Sequence, residues 1–91
     1  MKATAIRMKN GCSNSYDTLE IDSVYIEGCV RPDFYKKEVV YDYLIEHPGS
    51  IYVDRSPYPE LIPALSKYQE KYVRSEPNDT TRDNLLMLPR K

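Results

Sequence analysis

Thr4, Ile6 and Met8 share one parity in Ala3-Thr4-Ala5-Ile6-Arg7-Met8, the alternation of a half-buried strand. Lys9 to Ser15 follows with Gly, Asn and Ser and little apolar content, and reads as a mobile loop. From Leu19 the alternation resumes but changes phase, because Leu19 and Ile21 are odd while Val24 and Ile26 are even. A bulge near Asp22-Ser23 would restore one buried face to a second strand, which is expected to pair with the first.

The period then changes from two to that of a helix. Val39, Val40, Tyr43 and Leu44 fall at i, i+3, i+4 spacing, with Lys36, Lys37, Asp42 and Glu46 directed away from them. This predicts a helix over 35–47, with Asp33 as its cap, Lys36-Lys37 as a solvated first turn and Pro48-Gly49 as its stop. His47 falls at the C-terminal end, where a cationic ring suits the helix dipole. Ser50 to Asp54 reads as a strand and Ser56-Pro57-Tyr58-Pro59 as a stiff extended loop. Leu61 to Lys67 and Lys71 to Ser75 read as two further strands around a turn at Gln69-Glu70, with Pro63 demanding an edge position or a bulge. Beyond a polar turn from Glu76 to Thr81, the run Leu85-Leu86-Met87-Leu88 is too apolar for water and is expected to dock on the core. The fold class is therefore α+β: one helix packed on a small, mostly antiparallel sheet of about five strands, with a docked C-terminal tail.

At 91 residues, with 41% hydrophobic and 30% charged, the chain is expected to form a single domain over residues 1–91. Thirteen basic residues against fourteen acidic give a net charge of −1, which removes the positive field that duplex DNA binding draws on. No apolar run approaches the roughly 20 residues of a membrane span. Met1 to Met8 lacks a signal-peptide pattern, so a cytoplasmic location is expected. Cys12 and Cys29 with the single His47 form neither a metal set nor a nucleophile–base pair, and read as free thiols in a reducing compartment. No phosphate-binding, dinucleotide, zinc-protease or serine-hydrolase motif is present. No cofactor and no metal are expected, and an enzyme is the least favoured reading.

The ending Lys71-Tyr72-Val73-Arg74-Ser75, Pro77-Asn78-Asp79-Thr80, Asp83-Asn84-Leu85-Leu86 and Leu88-Pro89 resembles the C-terminal signature of a small bacterial and phage family, domain of unknown function 3892. Ile6-Arg7-Met8 is similar to the opening strand of that family, Leu19 to Ile26 to its second, and Lys37-Glu38-Val39-Val40 to its helix start. The resemblance implies a topology; it implies no activity and no catalytic residue.

Two groups of residues are candidates for function. Arg74, Ser75, Asn78, Asp79, Thr80, Thr81, Asp83 and Asn84 form the densest polar, turn-capable set. Their structural role would be to cap the turn and pair Arg74 with Asp79 or Asp83; their functional role would be to cradle an anion. The second group draws on nine tyrosines in a chain without tryptophan. Tyr16, Tyr58 and Tyr68, with Leu61 and Ile62, are expected to be exposed as an interface, since tyrosine offers a flat face and a hydroxyl at small entropic cost. The leading expectation is a non-enzymatic module that binds a protein, such as a phage-borne inhibitor of a host factor, with a homo-oligomer as one form of such recognition. The alternative is sequestration of a phosphorylated or cyclic nucleotide by the Arg74 to Asn84 segment and exposed tyrosines.

Overall fold

Strands β1 (Lys2–Met8) and β2 (Ile21–Glu27) pair antiparallel, and each carries one residue outside the register. The computed structural model describes residues 1–77 and 83–91. On β2 the extra residue is Asp22, between the pairs Arg7↔Ser23 and Met8↔Ile21, where the change of phase called for a bulge. Ile21, Val24 and Ile26 are all buried as a result. On β1 the extra residue is Thr4, between Ala3↔Ile26 and Ala5↔Tyr25. This second bulge corrects the expected face: Ala3, Ala5 and Ile6 are buried, while Thr4 and Met8 stay at its margin.

Asp33 does not cap the helix. Asp33–Lys36 is a strand, β3, paired antiparallel with β2, so the described strands number six. The Asp33 carboxylate instead accepts the Phe34 N–H at 2.7 Å, and Phe34 and Tyr35 extend on the sheet, where aromatic side chains pack well. Helix α1 therefore begins at Lys37 and ends at Glu46, with no side-chain cap from Lys36. Strand β4 (Tyr52–Val53) lies parallel to the start of β1, completing the order β3-β2-β1-β4. Strands β5 (Leu61–Leu65) and β6 (Lys71–Ser75) form an antiparallel hairpin. The two sheets meet where the Leu61 N–H donates to the Ile51 carbonyl and the Val53 N–H to the Pro59 carbonyl. Since Leu61 directs its N–H away from β6, Pro63, two residues on, has its missing donor on the open side, as an edge proline should.

The tail docks as expected. Leu85, Leu86 and Leu88 are buried, and the chain then runs beside β1: the Ile6 N–H donates to the Pro89 carbonyl at 2.9 Å and the Lys91 N–H to the Ile6 carbonyl at 3.0 Å. β4 and the tail thus share one edge of β1. Helix α1 packs against β2, β3, β5 and β6, and its Val40 and Leu44 join Ile6, Val24, Val53, Leu61 and Val73 in the core.

Lys37 overturns the expected solvated first turn. Its side chain is 2% exposed, and it shares the buried face of α1 with Val40 and Leu44, while Val39 and Tyr43 turn outward. The ammonium donates to the Leu19 carbonyl at 2.7 Å and to Glu70 Oε2 at 2.5 Å, and the same carboxylate oxygen accepts from Lys9 Nζ at 3.1 Å. A lysine is tolerable here because its stem is apolar and its head meets two acceptors. These bonds tie the helix start, the 3-10 turn Thr18–Glu20 before β2, the turn between β5 and β6, and the segment after β1. The hydrogen bond from Lys37, then that from Lys9, holds the Glu70 carboxyl below its ordinary value of 4.5. The same Glu70 bond raises the Lys9 ammonium.

Two outcomes follow. Lys37→Ala removes the stem from the core and orphans the Leu19 carbonyl, so calorimetry should show a loss of about 2–3 kcal/mol, with Lys37→Met losing less because it keeps the stem. The depressed Glu70 value stabilises the fold above the unfolded carboxyl's pKa, and that contribution is lost as pH falls below 4.5 through the lower folded value. In urea titrations from about pH 6 to about pH 3, Glu70→Gln should flatten part of the acid loss expected of the wild type.

Candidate functional site

The Pro-rich loop is bound from both ends and from beneath. Within it the Arg55 N–H donates to the Val53 carbonyl and the Tyr58 N–H to the Arg55 carbonyl. From below, the buried Asn84 donates through Nδ2 to the carbonyls of Arg55, at 3.3 Å, and Ser56, at 3.1 Å. Tyr58 adopts a positive φ of 60°, a conformation costly for a bulky side chain and sustained only by surrounding contacts. Its ring stands edge-on to that of Tyr52, with centroids 6.4 Å apart, and the two are 58% and 41% exposed. Asp54, beside them, lies 4.0 Å from Lys2 Nζ. Strand β4 and the loop thus present two adjoining aromatic rings to solvent from a hydrogen-bonded backbone.

The polar candidates in the tail divide. Ser75 and Asp83 bond each other: the Ser75 N–H reaches both Asp83 carboxylate oxygens at 3.1 and 3.2 Å, and the Ser75 hydroxyl donates to Asp83 Oδ1 at 2.5 Å. Asp83 also caps the following 3-10 turn (Asn84–Met87) at the Leu85 N–H, and the Asn84 N–H donates to Ser75 Oγ. These groups pin the tail and support the Pro-rich loop. Arg74 is half-buried, and the expected ion pair with Asp83 is not formed: Arg74 lies on the opposite face of β6 from Ser75, to which Asp83 is bonded. Asn78, Asp79, Thr80 and Thr81 lie outside the described residues.

Among the aromatic candidates, Tyr16, Tyr58 and Tyr68 are exposed, in three separate loops. Tyr16 lies under the Arg90 guanidinium at 5.1 Å, and Tyr68 beside Lys67 Nζ at 5.2 Å. Leu61 is a correction: it is wholly buried, its side chain joining the core at the junction of the two sheets, and Ile62 is half-buried in β5. Tyr52 was not singled out from the sequence, although a tyrosine flanked by core residues Ile51 and Val53 must face outward in a strand.

The loop after β1 is also more ordered than its composition suggests. Glu20 accepts from the Cys12 thiol at 3.0 Å and from the Ser15 hydroxyl, while Asp17 accepts the Leu19 N–H. The Glu20 carboxylate raises the Cys12 thiol above its ordinary value, and the Ser15 bond, then that from Cys12, lowers Glu20. A thiol kept protonated in this way is a poor nucleophile.

A second surface feature is an apolar cleft of about 210 Å³ between α1 and the end of the first sheet, lined by Met1, Ile26, Cys29, Tyr35, Val39, Val40, Tyr43 and Ile51. Gly28 packs closely against Met1, one of the lining residues. Its φ of +86° is one that side chains rarely adopt, and a Cβ there would stand 3.3 Å from the Met1 Cα. Among the described residues no three His, Cys, Asp or Glu side chains gather as a metal set, and no helix is long and apolar enough to cross a membrane.

A family model described as Protein of unknown function (DUF3892) matches residues 2–89. No curated protein and no solved structure matches the chain.

Asn84→Ala should cost about 1–3 kcal/mol, the price of two unsatisfied carbonyls beneath the loop. Hydrogen exchange should then accelerate at the Val53, Arg55 and Tyr58 amides, while the amides pairing β1 with β2 keep their protection.

Proposed function

The chain belongs to the DUF3892 family, and we propose that it is a small, non-enzymatic binding module that recognises a protein partner through the Tyr52–Tyr58 face. The observation that carries the reading is the fixation of that face. Tyr58 sits on a loop held by Asn84 and by the loop's own hydrogen bonds, and Tyr52 on strand β4 paired with β1, so little backbone freedom remains to be lost on binding. Tyrosine is over-represented among residues that dominate binding energy, and a rigid pair serves as an anchor. Two unpaired thiols suit a reducing compartment, and a cytoplasmic partner fits that chemistry.

Nucleotide sequestration is the rival reading, and it is weakened where the structure is described. Ser75, Asp83 and Asn84 spend their polar groups on one another and on the Pro-rich loop, leaving Arg74 as the described cation of that group.

The test is affinity capture with the purified protein as bait. The wild type should retain a specific protein, and Tyr52→Ala/Tyr58→Ala should lose it with a melting temperature near that of the wild type, since both rings are exposed. Retention by the double variant would remove the Tyr52–Tyr58 face as the site. A rise in melting temperature with one compound from a panel of mono-, di- and cyclic nucleotides, abolished by Arg74→Ala, would favour the rival.

A further inference from the structure

The first sheet turns one face to the core. Val24 and Ile26 join Val40 and Leu44 of α1 there, so Tyr25 and Glu27 alternate to the opposite face of β2. On that face Ala5 pairs with Tyr25 and Tyr25 with Phe34, which sets one small side chain in a row with two rings. The bulge at Thr4 adds a hydroxyl beside the row, and the tail brings Lys91 alongside β1 at Ile6. The result is a hollow of about 430 Å³ lined by Thr4, Ala5, Tyr25, Glu27, Phe34 and Lys91.

Arg7 braces this hollow. Its guanidinium lies 4.0 Å from the centre of the Phe34 ring, and its Nε–H donates to the Lys91 carbonyl at 3.3 Å, so one side chain ties the aromatic wall to the tail. The Tyr25 and Phe34 rings meet edge to face, with centroids 5.1 Å apart. Other charges on the same sheet are matched in pairs. Lys36 bonds Asp22 at 2.9 Å, and Lys2, although opposite Glu27 in the register, lies 4.0 Å from Asp54. Among the described residues the Glu27 carboxylate and the Lys91 ammonium have no ion-pair partner, and the Thr4 and Tyr25 hydroxyls make no hydrogen bond. Four unspent polar groups and two rings therefore line one space.

We propose that this hollow is a binding site for a small zwitterion bearing an aromatic ring, of which a free aromatic α-amino acid is the simplest example. Each kind of lining group selects one part of such a molecule. Tyr25 and Phe34 offer ring contacts, Glu27 accepts from an ammonium, and Lys91 donates to a carboxylate. The volume falls within the roughly 300–1,000 Å³ of small-ligand sites. The pairing of opposite charges also selects against simpler ions, since Glu27 repels an anion and Lys91 repels a cation. The wholly apolar cleft beside α1 offers no such discrimination.

Heteronuclear NMR titration of the full chain with L-phenylalanine, L-tyrosine and L-tryptophan tests the assignment. At least one should shift the Ala5, Tyr25 and Phe34 amides saturably. Phenylethylamine, which lacks the carboxylate, and 3-phenylpropionate, which lacks the ammonium, should each bind roughly tenfold more weakly than L-phenylalanine. Glu27→Gln should weaken the amino acid by a similar factor without weakening 3-phenylpropionate, and Lys91→Met should weaken it without weakening phenylethylamine. Both variants should melt as the wild type does, since neither side chain holds the fold together. No saturable shift with any of the three amino acids overturns the proposal, as does equal affinity for the amino acid in the wild type and both variants. Shifts centred on Tyr52 and Tyr58 also overturn it, because they would place the ligand on the other aromatic face.

Discussion

A buried ammonium organises this fold. Lys37 lies at the first residue of the helix, where an uncapped N-terminus already concentrates partial positive charge, and a cation is unfavourable there on electrostatic grounds. It is held because the Leu19 carbonyl and the Glu70 carboxylate approach from two other elements. The helix cannot seat its apolar face without also placing this head group, and neither the turn before β2 nor the β5–β6 turn can move without uncovering it. Moving the hairpin away would leave this buried charge without its carboxylate, so the pair ties how the hairpin docks against the helix.

Much of the framework was legible from periodicity. The phase change between Ile21 and Val24 points to a bulge near Asp22-Ser23, and Pro63 points to an edge position or a bulge, of which the structure has the edge. The helix core at Val40 and Leu44 and the docking of Leu85, Leu86 and Leu88 followed from apolar spacing alone. What failed shares a cause. Lys37 looks like a solvated residue because its partner Glu70 lies 33 positions along the chain, and no local pattern shows such an acceptor. Asp33 looks like a helix cap for the same reason: the competing choice, pairing with β2, is not local.

The candidate site was legible only in part. Exposure of Tyr16, Tyr58 and Tyr68 followed from their loop positions, but loops do not reveal which rings meet. Tyr58 is placed against Tyr52 by a backbone that Asn84 supports, and in the sequence Asn84 belongs to a polar group open to both a turn-capping and a ligand-binding reading. Side-chain amides in a turn have the same appearance in sequence whether they bind a guest or hold up a neighbouring loop. Every buried side-chain nitrogen and oxygen among the described residues has a partner, so the polar interior is occupied with holding the fold.

The way β1 is completed has a consequence for the order in which the molecule can assemble. One flank of β1 pairs with β2 nearby, but the other is divided between β4 and a segment whose Lys91 carbonyl meets Arg7 across 84 positions. During synthesis β1 therefore spends most of the time with an open flank, and the entropy of closing so long a loop must be met before that flank is covered. Until those segments are in place, the open flank of β1 is an unpaired strand edge, the feature through which incompletely folded chains associate.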